Sequence, residues 1–234
     1  MKAEIGIIGG MGPMASELFY KMVTDHTKAE KDQDHINMII LSDASMPDRT
    51  EAILNNDYED VRNQMLEDAL FLQNSGCRAI AVTCNTAHFF IDMIQHELQI
   101  PVLHMIHLTV AHLEKICAKG ERIGIMATDG TIRTRLYQSV LEEKGFECYT
   151  PEDAIQKEVM HQIYDRIKCG KNYDEQSWKR ISASYRDAGC SRVVMACTEL
   201  SVLKTEAQLS DWYIDPMVEM AHAAIDVSGR TWID

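Results

Sequence analysis

The sequence predicts an α/β fold of two similar halves, each a parallel, doubly wound sheet covered by helices on both faces. Three observations lead there. Short apolar runs alternate with helical patterns along the whole chain. The opening run Ile5-Gly6-Ile7-Ile8 is echoed by Ile123-Gly124-Ile125-Met126, so the pattern restarts near the middle. Ala81-Val82-Thr83-Cys84-Asn85-Thr86-Ala87-His88 has a near-copy in Met195-Ala196-Cys197-Thr198-Glu199-Leu200-Ser201. The two stretches align without a gap, because one spacing separates Gly76 from Gly189, Cys77 from Cys190 and Cys84 from Cys197. A cysteine on the same strand-to-helix loop of both halves suggests two thiols facing one cleft between the domains.

The elements follow in order. The strand at residues 5–8 ends in the glycine loop Gly9-Gly10-Met11-Gly12-Pro13. Pro13 suits the first turn of a helix, predicted over 15–28. A second strand at 36–41 leads to a loop at 42–50 containing Pro47-Asp48-Arg49-Thr50. A helix over 58–75, a strand at 79–83, the Cys84 loop, a helix over 86–98 and a strand at 101–103 complete the first half. After a helix at 106–118, the second half has a strand at 122–128, a helix over 132–144 and a short strand at 147–149. Helices at 154–169 and 175–188 and a strand at 192–196 follow, ending at the Cys197 loop. The tail has a strand at 212–214, then Asp215-Pro216 as N-cap and first-turn residue of a helix over 217–227. It has no visible counterpart in the first half and is expected to return and pack there. The predicted domains are residues 1–105 plus 207–234, carrying Cys84, and 106–206, carrying Cys197.

Composition narrows the class. The chain has 234 residues, 46% hydrophobic and 25% charged, which suits a globular protein with a sizeable core. No apolar run approaches the ~20 residues that span a bilayer, and the N-terminus moves at once into a strand-like segment. A cytoplasmic protein without membrane contact is expected. The net charge of −13 and the absence of a basic stripe argue against nucleic acid. An anion site must then gather its own Arg or Lys. The odd count of seven cysteines points to reduced thiols. Cys77, Cys117, Cys148, Cys169 and Cys190 lie within or beside apolar segments and read as packing residues.

Cys84 and Cys197 differ, because each sits where a helix N-terminus favours thiolate. Two opposed thiols have a particular use. One, as thiolate, removes a proton from carbon; the other, as thiol, returns one to the opposite face, inverting a stereocentre. A lone cysteine would instead suit a hydrolase. Cys84-x-x-x-His88 could chelate zinc, but no second ligand pair completes a tetrahedral site, so no metal is expected. Gly10-Met11-Gly12-Pro13-Met14-Ala15 formally matches a dinucleotide fingerprint, with Asp43 as its acid. That acid lies further on than the usual ~20 residues, and the same glycines can present N–H groups to a carboxylate. Arg49, in a strand-end loop, suits a bidentate grip on a carboxylate. Lys168, near a helix end, reads from position alone as a dipole-complementing or solvated charge.

The motifs Gly9-Gly10-Met11-Gly12-Pro13, Asp32-Gln33-Asp34-His35, Pro47-Asp48-Arg49-Thr50, Thr83-Cys84-Asn85-Thr86-Ala87-His88, Ile167-Lys168-Cys169-Gly170 and Ala196-Cys197-Thr198-Glu199-Leu200 together resemble the PLP-independent aspartate/glutamate racemase family, closest to its aspartate racemases. The resemblance runs from residue 5 to about 220. It implies pseudo-twofold symmetry, a homodimer, an acidic amino acid as substrate, and neither cofactor nor metal. It implies Cys84 and Cys197 as acid/base thiols and Arg49 and Lys168 as ligands of the substrate carboxylates. Met11, Asn85, Thr86 and Thr198 would line the substrate, and Glu199 would orient the second thiol or bind the ammonium. Decarboxylases and maleate isomerases of the same superfamily, and a silent amino-acid-binding protein, are the alternatives.

Overall fold

The computed structural model describes residues 3–234. The first half runs β1 (Ile5–Gly9), α1 (Pro13–His26), β2 (Met38–Ser42), α2 (Arg49–Asn55), α3 (Glu59–Asn74), β3 (Ala79–Val82), α4 (His88–Ile94), β4 (Val102–Leu103) and α5 (Met105–Ile116). The second runs β5 (Arg122–Ala127), α6 (Asp129–Arg133), α7 (Leu136–Glu143), β6 (Glu147–Tyr149), α8 (Asp153–His161), α9 (Glu175–Asp187), β7 (Arg192–Ala196), α10 (Thr198–Ala207), β8 (Tyr213–Ile214) and α11 (Pro216–Val227). Each half builds a four-stranded parallel sheet, in the orders β2-β1-β3-β4 and β6-β5-β7-β8. The two orders correspond strand for strand, giving the doubly wound, pseudo-symmetric fold. In each, the strand order switches beside the central pair, β1 with β3 and β5 with β7. Ligands of such sheets bind beyond the carboxyl ends of these pairs. There the chain places the glycine loop, the Cys84 loop, Thr128 and Cys197.

The halves exchange their last helices. In α5, Ile106, Val110 and Leu113 are buried with Ile123 and Ile125 of β5 rather than with the first sheet. In α11, Met217, Met220, Ala221, Ala224 and Ile225 join Ile5, Ile7, Ala79 and Ala81 of the first sheet. That cluster also contains Met126, Val193 and Met195 of the second sheet, so one core runs through both halves. Each large side chain buried there is worth roughly 1.5–3 kcal/mol. The exchange therefore fixes how the two sheets face each other.

Several elements depart from the sequence reading. The tail has a counterpart after all: β8–α11 corresponds to β4–α5. It also divides, since Tyr213–Ile214 pairs with β7 in the second sheet while α11 crosses to the first. Arg49 is not in a loop but opens α2, whose N-cap Asp48 accepts the Glu51 N–H. The helix expected over 86–98 begins at His88, after a turn closed by the His88 N–H to Asn85 O bond. The helix expected over 132–144 is two, broken where Arg135 adopts a left-handed conformation with φ 55°. The helix expected over 154–169 ends at His161; wider π turns cover Gln162–Arg166 and tighter 3₁₀ turns Ile167–Cys169. Such a register change is common at functional sites. Among the described residues, no helix is long and apolar enough to cross a membrane.

The shared core predicts cooperative unfolding. Met220→Ala deletes a fully buried side chain and is expected to cost about 2–5 kcal/mol. Urea unfolding followed by fluorescence and far-UV circular dichroism should show one coincident transition, displaced as a whole by the substitution. Two separated transitions would contradict a common core.

Candidate active site

Both cysteine loops are built alike. Cys84 N–H bonds to Val82 O at 2.9 Å and Cys197 N–H to Met195 O at 2.8 Å, so each strand ends in the same tight turn. The turns carry Cys84 and Cys197, both buried, to the walls of one cleft between the halves. Thr198 crosses this cleft, its hydroxyl donating to Thr83 O at 3.2 Å. The space between the thiols is small, with room for about one water molecule. It adjoins an outer cavity of about 260 Å³. Met11, Asp48, Arg49, Lys168 and Glu199 line both.

The two thiols have opposite electrostatic surroundings. Cys197 Sγ lies 2.9 Å from Glu199 Oε2, to which it donates. Burial first, then the Glu199 carboxylate, push the Cys197 thiol well above its ordinary pKa, while Lys168 pulls the other way. Cys84 faces Arg49 instead. Burial works against the charge of that guanidinium, but Cys84 and then Asp48 outweigh it and raise its pKa. Arg49 is held by carbonyls, Nη1 donating to Met46 O (3.2 Å) and Pro47 O (2.8 Å) and Nη2 to Met11 O (3.2 Å). Its Nε is buried without a partner. Asp48 stays ionised: burial opposes this, but the Glu51 N–H, Arg49, Lys168 and the Tyr164 hydroxyl lower its pKa.

Lys168 reaches the cleft because of the irregular turns after α8. Its Nζ sits 3.8 Å from Glu199 Oε1 and 4.6 Å above the Tyr164 ring. Burial lowers its pKa, but Glu199 and then the two cysteines raise it by more, so it is a cation. The solvated role suggested by its position is therefore replaced by an inward one.

The glycine loop is shaped by its neighbours. Gly10 has φ 85°, and a Cβ there would stand 2.3 Å from the Asp43 carbonyl carbon. A Cβ on Gly12, at φ 154°, would meet Glu199 Oε1 at 2.5 Å. Glycine here lets the loop close over the Glu199 carboxylate. Asp43 is committed to Ser45 and Gln64, which removes the ribose acid of the dinucleotide reading. His88 is fully buried, with Nδ1 bonded to Cys84 O at 2.9 Å and Nε2 accepting the Met105 N–H at 3.2 Å. That partner set fixes an Nδ1–H tautomer. Burial, then His104, hold its pKa down to about 3, so it is neutral. With both nitrogens occupied, it braces the loop, and the zinc pair proposed with Cys84 does not form. Among the described residues, no group of three or more His, Cys, Asp or Glu side chains is placed to hold a metal ion.

All nine residues singled out in the sequence, Met11, Arg49, Cys84, Asn85, Thr86, Lys168, Cys197, Thr198 and Glu199, line this one cleft. Met11 serves through its carbonyl to Arg49. Thr86 joins Thr50, Thr128 and Thr131 in a buried hydroxyl cluster spanning the halves, with O–O distances of 2.8–3.3 Å. Four further cleft residues, Asp48, Thr50, Thr128 and Tyr164, were not assigned. The first two stand beside Arg49 in a motif already marked. Thr128 follows β5 as the glycine loop follows β1, so the repeat could have found it. Tyr164 carries no sequence signal, because only the π turn aims it inward.

Comparison with known proteins agrees with this geometry. The Asp/Glu/Hydantoin racemase family model matches residues 8–224. A broad-specificity amino-acid racemase of Bacillus subtilis (strain 168) is 26% identical over 227 residues, covering 94% of this chain and 96% of its own. The structure of Picrophilus torridus aspartate racemase superposes with a TM-score of 0.81 at 28% identity, covering 99% of this chain and 96% of that one. An aspartate racemase homologue from Pyrococcus horikoshii OT3, at 23% identity and TM-score 0.75, shares the fold over 98% of this chain and 100% of its own. With nearly its whole length matched, the chain belongs to the Asp/Glu/Hydantoin racemase family, and it is a PLP-independent isomerase.

Proposed function

We propose that the protein interconverts L- and D-aspartate, with glutamate as the nearest competitor, by two-base proton transfer between Cys84 and Cys197. The observation that carries this reading is two buried thiols on matched loops, facing one cleft lined by two cations, the buried Arg49 and the partly exposed Lys168. In the first half-reaction the thiolate of one cysteine takes the Cα proton, and the C–H electron pair moves into the α-carboxylate as an enolate. The opposite thiol then gives its proton to the other face of Cα, leaving the two sulfurs with exchanged protonation. With burial and Glu199 favouring the protonated form, Cys197 is the acid when Cys84 is the base. Arg49 and Lys168 are positioned to take the two carboxylates. Glu199, between Cys197 and Lys168, is the acceptor for the ammonium. The site's charges, Arg49 and Lys168 against Asp48 and Glu199, leave it near neutral despite the acidic chain. A homodimer in the cytoplasm belongs to the same reading.

A second reading widens the substrate. The outer cavity is lined by Met14, Met46, Ile167 and Val202, and flexible methionines accommodate varied side chains. The relative named a broad-specificity racemase supports it. Chiral chromatography of single L-amino acids separates the two. Aspartate turnover with neutral amino acids untouched supports the first; L-methionine or L-leucine converted within about tenfold of aspartate, one step of 1.4 kcal/mol, supports the second.

Cys84→Ala and Cys197→Ala should each lower racemisation by on the order of 10²–10⁴-fold. In D₂O the wild type should incorporate deuterium at Cα as the opposite enantiomer forms. Undiminished racemisation by either variant would sink the two-base mechanism. Glu199→Gln removes one of the groups that raise the Cys197 pKa, which should then fall. In the direction where Cys197 must be a thiol, activity is lost as pH rises through that pKa. The alkaline limb of the kcat profile should therefore move to lower pH; an unmoved limb would show that Glu199 does not act on this thiol.

A further inference from the structure

Asn85 brings to the cleft a polar group that the protein leaves unpaired. The residue is 1% exposed. Its Oδ1 accepts a hydrogen bond from the Tyr137 hydroxyl, while Nδ2 is buried without a hydrogen-bond partner. A buried donor left unpaired costs about 1–3 kcal/mol. At the wall of a substrate cleft such a group is a donor awaiting an acceptor from the ligand.

The ends of an asparagine amide have nearly the same shape, so its neighbours decide which faces the cleft. Turned over, Asn85 would present a carbonyl oxygen to an anionic substrate. Tyr137 supplies the bias. It lies on α7 in the outer core of the second sheet and is fully buried. Burial pushes its phenol well above the usual pKa, so the hydroxyl keeps its proton and can donate. The contact also crosses between halves, since Asn85 belongs to the Cys84 loop and Tyr137 to the second domain. Tyr137 stands two residues beyond Arg135, whose left-handed backbone breaks the helix and starts α7 in a new direction. A non-glycine residue held in that region persists only where the surrounding structure enforces it.

We propose that Tyr137 is a positioning residue for racemisation: it holds the Asn85 amide with Nδ2 turned into the cleft, where its N–H groups receive the substrate α-carboxylate. As the Cα–H bond breaks, negative charge grows on that carboxylate, and a donor fixed in advance stabilises it without reorganising. Tyr137 transfers no proton and touches no substrate. The proposal rests on the two-thiol reading of the cleft.

The test is a double-mutant cycle on the full chain, with aspartate racemisation as the readout and circular dichroism as the check on folding. Tyr137→Phe should lower kcat/KM roughly tenfold to a hundredfold, the scale of a small misplacement. Asn85→Ala should cost roughly 10²–10³-fold, as for a lost oxyanion donor. In the Asn85→Ala background, Tyr137→Phe should add less than about twofold, because the pair acts as a unit. Equal Tyr137→Phe effects in both backgrounds would overturn the proposal. Asn85→Asp is the second variant, and it decides the matter even if Tyr137→Phe fails to fold. It keeps the acceptor for Tyr137 but replaces the cleft-facing donor with an anion, and should lose at least as much activity as Asn85→Ala. Near wild-type activity would overturn the role of Nδ2. If the wild type racemises no acidic amino acid, the two-thiol reading itself falls and this proposal with it; that result is seen before any variant is compared.

Discussion

Everything at the site depends on one core being shared by two sheets. Two parallel sheets built separately would each bury their own faces and could stand at any angle. Here α5 leaves the first half to cover β5, and α11 leaves the second to cover β1 and β3. Each half thus completes the other, and the carboxyl ends of both central strand pairs are turned toward one another. Without that constraint, Cys84 and Cys197 would be two unrelated strand-end thiols. With it, they line one narrow cleft.

The second consequence is electrostatic. Burying a charge is costly unless it is paired. The cleft gathers the buried Arg49 and Glu199 with the half-buried Asp48 and the partly exposed Lys168, and each finds an opposite neighbour within the set. Glu199 links three features: it accepts from Cys197, pairs with Lys168 and rests against the Gly12 backbone. The glycine loop, which in isolation suggests a phosphate site, is thus accounted for by a carboxylate from the other half of the chain.

How far this was legible in the sequence depends on whether a feature is periodic or tertiary. The repeat, the strand-loop-Cys pattern and the motif around Arg49 are local, and they led to the sheets and to Cys84, Cys197 and Arg49, while the other six of the nine came with the family resemblance. Lys168 was undecidable from position, because a helix-end lysine reads as solvated until the turn that bends it inward is known. The same turn hides Tyr164. The correspondence of β4–α5 with β8–α11 was missed because the strands have two residues each and their helices share no motif. Nothing local marks Tyr137 as a partner of Asn85. Its hydroxyl matters only because the helix that restarts after Arg135 brings it to Asn85, 52 residues earlier in the chain.

The closed cleft also bears on how the enzyme turns over. The narrow space beside the thiols shares Met11, Asp48, Arg49, Lys168 and Glu199 with the outer cavity of about 260 Å³. Side-chain bonds tie the halves together around it: Tyr164 to Asp48, Thr198 to Thr83, Tyr137 to Asn85, and Thr50 and Thr86 to Thr128. Each is worth a net ~0.5–1.5 kcal/mol. The shared core, by contrast, contributes far more to holding the halves together. Because both thiols are buried, Arg49 and Glu199 act on them at low dielectric rather than through solvent. On the proposed two-thiol reading, a cysteine that alternates between base and acid needs partners strong enough to matter and balanced enough not to fix it in either state. Glu199 and Lys168 pull the proton affinity of Cys197 in opposite directions, the carboxylate raising it and the ammonium lowering it.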